Sequence, residues 1–399
     1  MASPATSSVT SGVRIPEVDM LRGFALFGIL ITNAVVLVGL LTSDHAAVAG
    51  QLWQHDGVVD RVTDAVVSAL FLGRFFLLFS FLFGYSFTLQ LEAARRANVS
   101  GPRRLVRRCL ALFVIGLAHV LLLWVGDILT LYAGLCLILL LLRWIGPRTA
   151  VVIGTVLVVG FALLSFLPSD GDLPVGDWLG LSMLRDGYAG GPLDTLRAQL
   201  HVGPRFMALT WLSQGIPSLG MFLLGLAAGK AGLFRDRERL RRWVPRAMWV
   251  GFGLGLPISA ITFVQSTADA GAIPEWSMGL QELVNPLMTF AYLALILHLA
   301  HTPRWSTPIS WLAPAGRMAA TNYIGQSVAL MLLYSGYGLS ARIPISAVVA
   351  LGLLTFALQL AFSRWWLTTH TYGPIEWLLR AATYLTRPQW RTREPIPGK

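Results

Sequence analysis

The chain has 399 residues, of which 55% are hydrophobic and only 13% are charged, and its net charge is +11. A soluble domain usually carries about 25% charged residues, so this composition excludes an ordinary soluble protein and indicates an integral membrane protein surrounded by membrane lipid. The basic residues cluster between apolar segments, which favours orientation in a bilayer over binding of nucleic acid.

Apolar segments along the chain predict ten membrane spans, of which the fourth is the shortest. A crossing needs about 20 apolar residues, and every span is predicted to be helical, because lipid cannot hydrogen-bond to an unpaired backbone and no alternating barrel pattern is present. The predicted fold class is therefore all-α, a polytopic transmembrane helix bundle over residues 18–366. The spans are Met20–Leu41, Ala65–Leu91, Leu105–Val125, Ile128–Leu142, Ala150–Leu167, Met207–Ala228, Trp243–Phe263, Val284–Ala300, Met318–Leu339 and Ile343–Trp365.

The charges between the spans predict the orientation of the bundle in a bacterial cytoplasmic (inner) membrane. Basic connections after spans two and six, and a basic C-terminal tail, predict that these segments and both termini are cytoplasmic. The acidic connections after spans one, five and seven are predicted to lie outside. The basic residues are Arg95, Arg96, Arg103, Arg104, Arg107, Arg108, Lys230, Arg235, Arg237, Arg239, Arg241, Arg242, Arg246, Arg387, Arg391, Arg393 and Lys399, and the acidic ones are Asp44, Asp56, Asp170, Asp172, Asp177, Asp269 and Glu275.

Three segments lie outside the predicted spans. Residues 1–17 form a cytoplasmic tail. The longest outer connection, residues 168–205, contains LDTLRAQL, which could form a short surface helix, and a connection of this length is more often functional than idle. Residues 367–399 contain GPIEWLLRAATYL, which is predicted to be an amphipathic helix at the inner interface anchored by tryptophan, followed by the basic tail.

Three polar side chains are predicted to lie near the middle of the membrane, each in a different span. Arg74 stands about ten residues, or roughly 15 Å, from the outer end of span two, and His119 stands about fifteen residues, or roughly 22 Å, from the inner end of span three. Asn33 lies at a similar height in span one. An ionisable group at this depth costs roughly 2.5–3.5 kcal/mol on insertion scales, so these residues predict a polar cavity in the bundle. Each could instead be a hydrogen-bonded structural group.

Asp127 follows span three in the sequence WVGDILTLY. It could cap the next helix after a break at Gly126, and the same residue could face a cavity at the outer mouth. In one straight helix Asp127 would lie about 12 Å from His119, so a direct contact needs the turn at Gly126 to fold back. The sequence leaves these alternatives open.

Two spans begin at the predicted cytoplasmic side with an arginine. Asp19 and Arg22 are three residues apart and share a helix face in span one. Arg317, Asn322 and Gln326 are predicted to follow one another down one face of span nine. Arginine binds phosphate through paired hydrogen bonds, so this lip is a candidate site for a phosphate-bearing molecule. Positive-inside anchoring is the alternative for each arginine taken alone.

Other sources of chemistry are not indicated. No nucleophile elbow, Walker loop or Rossmann fingerprint is present, and no metal site is predicted, because no cluster has metal-ligand spacing. Cys109 and Cys136 lie inside predicted helices and form neither a disulfide framework nor a zinc motif. General acid–base chemistry by histidine, or transport, remains.

Five blocks of the sequence resemble the YeiB-like bacterial membrane proteins that carry domain of unknown function 418. They fall in the family's order over almost the whole chain and are EVDMLRGFALFGILITN, FFLLFSFLFGYSF, GLAHVLLLWVGDILTLYA, GRMAATNYIGQS and YGPIEWLLR. This family is similar to a wider group of transmembrane acyltransferases, which includes the lysosomal heparan-glucosaminide N-acetyltransferase and bacterial sugar O-acetyltransferases. The D-x-x-R-G from Asp19 to Gly23 matches the LD-x-LRG-type start of that group, except that Val18 stands where leucine is usual.

The resemblance implies an enzyme that takes acyl-CoA, with acetyl-CoA the expected donor, from the cytoplasm and acylates a small-molecule or glycan acceptor on the other side. It implies that His119 removes a proton from an acceptor hydroxyl or amine and that Asp127 orients its imidazole. Arg74 would stabilise the developing oxyanion or hold an acidic acceptor. Asn33 would line the tunnel.

The remaining candidates are implied to bind the donor. Arg22 and Arg317 would hold the pyrophosphate of CoA at the cytoplasmic lip, and the amides of Asn322 and Gln326 would lie below it. Asp19 would position Arg22, which would explain why a hydrophobic span begins with an acid and a base.

Three hypotheses for the function follow. The first is transfer of an acyl group across the membrane. The second is a transporter or exporter of an amphipathic small molecule, with Arg74 as the counter-charge of the substrate. The third is a structural or sensory membrane protein whose polar groups only pack helices. Gly251 and Gly255 permit close helix packing, which leaves a homo-oligomer open.

Overall fold

The computed structural model describes residues 14–42, 57–167, 175–267, 275–340 and 343–392. These residues form α-helices joined by short turns, and the one β-type pairing among them is an isolated bridge between His370 and Arg391. The helices are α1 Pro16–Thr42, α2 Val58–Leu70, α3 Phe75–Arg96, α4 Gly101–Leu122, α5 Leu129–Leu141, α6 Pro147–Leu164, α7 Val175–Leu179, α8 Leu181–Ala189, α9 Pro192–Lys230, α10 Arg237–Thr267, α11 Glu275–Ala300, α12 Pro303–Ser310, α13 Leu312–Arg317, α14 Ala319–Tyr334, α15 Ile345–Thr369 and α16 Pro374–Tyr384.

The predicted all-α polytopic bundle is confirmed. Within the described residues, 8 helical segments are long and apolar enough to cross a membrane, with α2 and α3 together forming one of them. They coincide with all the predicted spans except the fourth and the ninth. Those two fall on shorter helices, because α5 has 13 residues and α14 has 16. The protein is therefore a multi-pass membrane protein in which two of the predicted spans do not reach spanning length in helix alone.

The centre of the bundle is the pair α3 and α9, which glycine allows to pack backbone to backbone. A Cβ on Gly84 would lie 2.1 Å from the carbonyl oxygen of Phe222, and a Cβ on Gly225 would lie 2.1 Å from that of Phe81. Small residues at such contacts let membrane helices approach closely, so that van der Waals packing stabilises the pair.

Gly251 and Gly255 lie at a contact between two helices of the same chain. A Cβ on Gly251 would lie 2.4 Å from the carbonyl oxygen of Leu287, and one on Gly255 would lie 2.3 Å from Met288. Both glycines therefore let α10 pack on α11 of the same chain, and they supply no argument for a contact between copies.

The prediction of a separate surface helix at LDTLRAQL is wrong, because these residues are the first turns of α9. That helix has 39 residues, or about 58 Å at 1.5 Å per residue, and so extends well beyond a hydrocarbon core of about 30 Å. Its first turns are held by bonds to their surroundings: Thr195 Oγ1 donates to Gly187 O at 3.0 Å and accepts from Gly336 N at 3.0 Å. Residues 175–205 of the predicted loop are thus largely helical.

The C-terminal segment forms the predicted helix as α16, and α15 runs on to Thr369, past the predicted boundary at residue 366. Trp377 of α16 donates its indole N–H to Pro388 O at 2.9 Å and packs against the ring of Trp390. Several predictions fall outside the described residues: residues 1–13 of the tail, residues 168–174 of the outer connection, and Asp44, Asp56, Asp170, Asp172, Asp269, Arg393 and Lys399.

Candidate functional site

The break between α4 and α5 builds the first part of the site. Leu123 N and Trp124 N both donate to His119 O, at 2.9 and 3.0 Å, which ends α4. The chain then turns through Gly126, where a Cβ would lie 2.7 Å from Trp124 Nε1. This turn folds back, as a contact between the two acid–base candidates required, and it returns Asp127 to the end of α4.

His119, Asp127 and Ser327 form a buried hydrogen-bonded chain. His119 Nδ1 lies 2.9 Å from Asp127 Oδ1, and His119 Nε2 lies 2.8 Å from Ser327 Oγ. All three residues are at most 2% exposed. An ionised carboxylate only accepts hydrogen bonds, so in the tautomer that donates from Nδ1 to Asp127, Nε2 is the acceptor nitrogen that faces the Ser327 hydroxyl, which also lies 3.4 Å from Tyr323 O.

Asp127 also caps α5, which is one of the two roles that the sequence left open, whereas among the described residues it lines neither of the two cavities described below. Its second oxygen, Oδ2, accepts a hydrogen bond from Thr130 N at 2.7 Å. The carboxylate thereby satisfies a backbone N–H that the helix itself leaves unpaired. One side chain fixes both the start of α5 and the imidazole of His119.

An arginine-rich cavity of about 290 Å³ lies at the N-terminal end of α1. Asp19 accepts from Arg14 at 2.7 Å and from Arg22 at 3.2 Å, which confirms the predicted shared face of Asp19 and Arg22. Burial, and then the charge of Arg14, lower the pKa of Arg317 below its ordinary value. The charged residues lining this cavity are Arg14, Arg22, Arg108, Arg317, Arg380, Asp19 and Glu376.

The charge of this cavity, hereafter the arginine cavity, is not balanced by the wall residues that the structure describes. Five of its charged residues are arginines and two are carboxylates. The Glu376 carboxylate is occupied by hydrogen bonds from the start of α14. It accepts from Ala320 N at 2.6 Å, from Thr321 N at 3.1 Å and from Thr321 Oγ1 at 2.6 Å. A cavity with excess guanidinium groups attracts an anion, and phosphate oxygens match the donor geometry of arginine.

A second cavity, of about 190 Å³, lies further along α1 and has an uncharged wall among the described residues. Asn33 lines it as predicted, together with Gln214 of α9 and the rings of several aromatic residues. We call it the neutral cavity. It shares three wall residues with the arginine cavity, namely Ile29, Ile128 and Tyr323.

Tyr323 connects the cavities to the hydrogen-bonded chain. Its ring centroid lies 5.0 Å from that of His119, and its ring is part of both cavity walls. His119 is therefore one aromatic ring away from the point where the two cavities meet, and it does not itself line either of them.

The structure does not bring Arg74 to this site. Arg74 is fully buried at the break between α2 and α3, where its guanidinium donates to Ala69 O and, at 2.8 Å, to Ser259 Oγ. The neighbouring carbonyl oxygen of Leu70 accepts from Tyr292. A cation at the C-terminal end of a helix is stabilised by the helix dipole, so Arg74 occupies a structural position at the end of α2. The geometry gives no support to its predicted contact with the reacting groups.

Asn322 and Gln326 are also turned away from the arginine cavity. Asn322 Nδ2 donates to Ala315 O at 3.1 Å and to Ser363 Oγ at 2.9 Å, and Gln326 Nε2 donates to Gln359 Oε1 at 3.0 Å. The predicted single face below Arg317 is wrong, because α13 ends at Arg317 and α14 begins only after Met318. The break redirects the two amides towards α15.

Several residues of the site were not found from the sequence. Arg108 lay in a basic run that indicated only orientation, and Glu376 lay in a helix predicted to rest on the membrane surface. Tyr323 and Ser327 lie in the block GRMAATNYIGQS, but nothing in that block gave either residue a role, and only the fold brings them to His119. The residues missed in this way are Arg14, Arg108, Gln214, Tyr323, Ser327, Glu376 and Arg380.

This arrangement can hold a polyanion in one cavity, hold an uncharged molecule in the other, and supply an oriented imidazole behind their junction. Among the described residues, no group of three or more His, Cys, Asp or Glu side chains could hold a metal ion.

Known proteins similar to this chain are themselves uncharacterised. A family described as "Protein of unknown function (DUF418)" matches residues 228–386. The chain is 30% identical to "Uncharacterized protein YxaH" of Bacillus subtilis, over 94% of this chain and 95% of that protein. It is 28% identical to "Uncharacterized 39.9 kDa protein in amylase 3'region" of Bacillus acidopullulyticus, over 93% and 94%, and 27% identical to "Uncharacterized protein YeiB" of Escherichia coli, over 92% and 95%.

Proposed function

This chain belongs to the DUF418 family of proteins of unknown function, and we propose that it is an acyltransferase of the bacterial cytoplasmic membrane. In this proposal it takes an acyl group from cytoplasmic acyl-CoA, with acetyl-CoA as the first donor to test. It transfers the group to a small-molecule or glycan acceptor at or beyond the middle of the membrane.

The observation that carries the proposal is the meeting of the two cavities at Ile29, Ile128 and Tyr323, with a His–Asp pair directly behind the tyrosine. Transfer between two substrates needs two binding sites that share a wall, because the reacting atoms must come within about 3–3.5 Å of each other. The arginine cavity suits the phosphate groups of CoA, and the neutral cavity suits a second molecule without phosphate.

The donor supplies the acyl group as a thioester: the acceptor oxygen or nitrogen forms a bond to the acyl carbon, the carbon–sulfur bond breaks, and CoA leaves as a thiol that receives the proton taken up by His119. Arg22 and Arg317 bind phosphate oxygens, and Asp19 holds Arg22 in place through the bond at 3.2 Å. Asp127 keeps the imidazole in the tautomer whose Nε2 accepts a proton, which is the form that a general base needs. Nε2 also lies 2.8 Å from the Ser327 hydroxyl, so both the Tyr323 ring and this hydroxyl have to move off the imidazole before His119 reaches an acceptor.

The volume of the arginine cavity limits how much of an acyl-CoA molecule it can hold. At about 290 Å³ it is at or below the lower end of the roughly 300–1,000 Å³ found for sites of drug-sized ligands. It accommodates the phosphate-bearing part of acyl-CoA rather than the whole molecule.

The proposal is tested with purified protein and acetyl-CoA. We expect acetyl-CoA to raise the melting temperature, and Arg22→Ala or Arg317→Ala to weaken its binding by about 10- to 100-fold, since a hydrogen bond to a charged group contributes about 1.5–3 kcal/mol. His119→Ala is expected to bind acetyl-CoA but to transfer no label to membrane or soluble acceptors.

Arg197→Ala is the matched control, because Arg197 is an exposed arginine near the start of α9, with its side chain 74% exposed. It should leave binding unchanged. If acetyl-CoA at millimolar concentration causes no shift in the wild-type protein, while the protein is folded, the acyltransferase proposal is wrong.

A transporter or exporter is the second candidate, and a specific observation favours it. The two cavities lie towards opposite ends of α1 and are separated by three side chains, which is the layout that alternating access needs. Uptake or efflux by proteoliposomes without any acyl donor would establish this reading, and Tyr323→Ala, which thins the separating layer, should then raise the rate of leak.

A further inference from the structure

The neutral cavity has an unusual combination of wall residues for a site inside a membrane. Its described wall contains amides, hydroxyls and aromatic rings but no Asp, Glu, Lys, Arg or His. We infer that it selects an uncharged, hydroxyl-rich acceptor, such as a polyol or a single neutral sugar ring, with Asn33 and Gln214 as the residues that determine specificity. The inference rests on the proposed function, which it deepens by naming the class of acceptor.

The first argument is charge. Burying an ion without a partner is strongly unfavourable, so an ammonium, carboxylate or phosphate group would find no compensation in this wall. Two charged residues are adjacent in sequence to residues of this wall, and both have hydrogen-bond partners elsewhere. Asp127 is hydrogen-bonded to His119 and Thr130, and Arg74 is hydrogen-bonded to Ala69 and Ser259. An amine or acid acceptor is therefore disfavoured.

The second argument is hydrogen bonding. The hydroxyls of Thr32, Thr210 and Ser213 each donate to a backbone carbonyl four residues earlier. Asn33 and Gln214 are half-buried cavity residues. An amide offers both a donor and an acceptor, and a hydroxyl group does the same, so these two side chains suit vicinal hydroxyls better than they suit an apolar chain.

The third argument is size and shape. A volume of about 190 Å³ lies below the roughly 300–1,000 Å³ range of sites for drug-sized ligands, so the cavity takes one small ring or the terminal unit of a longer molecule. Rings of Trp124, Phe76 and Tyr323 form part of the wall, and flat aromatic faces pack well against the C–H faces of a sugar or polyol.

The test uses three sugars of nearly equal shape that differ in charge. Glucose is neutral, glucosamine is a cation and glucuronate is an anion at pH 7. Binding of each sugar to the protein without acyl donor is measured by saturation-transfer NMR. We expect glucose to bind at least about tenfold more tightly than either charged sugar, because of the cost of burying a charge. Gln214→Met and Asn33→Leu should each weaken glucose binding severalfold.

Gln90→Met is the matched control, since Gln90 lines the arginine cavity and not the neutral one, and it should leave glucose binding unchanged. Gln214→Glu places a carboxylate in the neutral wall and should reverse the preference towards glucosamine. This variant keeps the inference testable if a loss-of-binding variant folds poorly.

The outcomes separate the inference from the proposed function. If glucosamine or glucuronate binds as well as glucose, or if no sugar or glycerol binds while acetyl-CoA does, the inference fails and the acyltransferase proposal stands. If glucose binds as expected and acetyl-CoA does not, the neutral cavity is established and the acyltransferase proposal fails.

Discussion

Each carboxylate oxygen of Asp127 binds a different partner, so substitution by asparagine and substitution by alanine should have different effects. Oδ1 lies 2.9 Å from His119 Nδ1, and Oδ2 accepts from Thr130 N. An amide in the same place keeps one acceptor oxygen for the helix cap but presents an NH₂ group to the imidazole. The imidazole would then have to accept at Nδ1 and carry its proton on Nε2, so it would no longer be a base at that nitrogen.

Asp127→Asn should therefore retain the fold and lose activity. We expect a melting temperature close to that of the wild type and a fall in acyl transfer of about 10²–10⁴-fold, as when the orienting acid of a Ser–His–Asp site is changed to its amide. Asp127→Ala removes the cap as well and should cost roughly 1–3 kcal/mol of stability. If Asp127→Asn is fully active, the His–Asp pair only packs helices.

At the scale of helices, the break between α2 and α3 leaves backbone carbonyl groups in the interior that need hydrogen-bond partners. The carbonyl groups at the end of α2 are satisfied by side chains rather than by a following turn: Arg74 donates to Ala69 O, Tyr292 donates to Leu70 O, and Gln281 donates to Ser68 O. Unpaired carbonyls are not tolerated in hydrocarbon. The break between α2 and α3 is possible because Arg74 at the break and Gln281 and Tyr292 of α11 supply these partners.

Arg74→Gln should accordingly affect folding more than chemistry. It removes the positive charge from the end of α2 and at least one buried hydrogen bond, for an expected loss of roughly 1–3 kcal/mol. Thermal unfolding measures that loss, while binding of acetyl-CoA by the folded fraction should be unchanged. If Arg74→Gln had normal stability but no acyl transfer, Arg74 would instead act on the reacting groups.

We expect the contact between α16 and α14 to depend on pH. Burial raises the pKa of Glu376 above its ordinary value, although its hydrogen bonds to Thr321 and Ala320 act in the opposite direction. The folded state therefore binds this proton more tightly than the unfolded state. The free energy of unfolding falls as pH rises from the ordinary pKa of 4.5 through the raised pKa, and it is constant above that range.

Glu376→Gln removes this titration while keeping an acceptor oxygen for the start of α14. We expect the stability of the wild type relative to this variant to decrease as pH rises from 4.5 towards neutral, measured as the difference in melting temperature. Glu376→Ala controls for the lost hydrogen bonds and should be less stable than Glu376→Gln at every pH. A constant difference between wild type and Glu376→Gln would contradict the raised pKa.

At the scale of the whole molecule, local contacts were predictable and contacts between distant helices were not. The Asp19–Arg22 pair follows from helical spacing, and the apolar segments that make the bundle follow from composition. The His119–Asp127 contact required a turn whose direction no residue type determines. Ser327 lies 208 positions from His119, and a lone serine on an apolar helix gives no signal.

The error at span nine has a definite physical cause. Placing Asn322 below Arg317 assumed one continuous helix, but Met318 has φ −107° and ψ 35° and separates α13 from α14. The change in direction leaves Arg317 at the arginine cavity and turns Asn322 towards Ser363 of α15. Close packing accompanies this break, because Gly316 of α13 packs its backbone directly against Asp19 O of α1.

The arginine cavity also bears on the number of crossings. Its wall includes residues near the starts of α1, α4 and α14, residues of α3 and α16, and the start of α5, and we expect the starts of α1, α4 and α14 and the helix α16 to lie on one side of the membrane. Between α4 and α14 the chain must then cross an even number of times. The long apolar helices α4, α6, α9, α10 and α11 make five crossings, so α5 must be the sixth, although its 13 residues span only about 20 Å.

With this number of crossings we expect both described ends of the chain to lie on one side, and the basic connections predict that this side is cytoplasmic. The test is labelling of single cysteines introduced after Cys109 and Cys136, both buried, are changed to alanine. Arg197→Cys, at the exposed start of α9, should react with an impermeant maleimide in intact spheroplasts. Arg387→Cys, exposed after α16, should react only once the membrane is opened. Equal labelling of both positions in intact spheroplasts would mean that α9 begins on the same side as the arginine cavity, which is incompatible with α5 crossing the membrane.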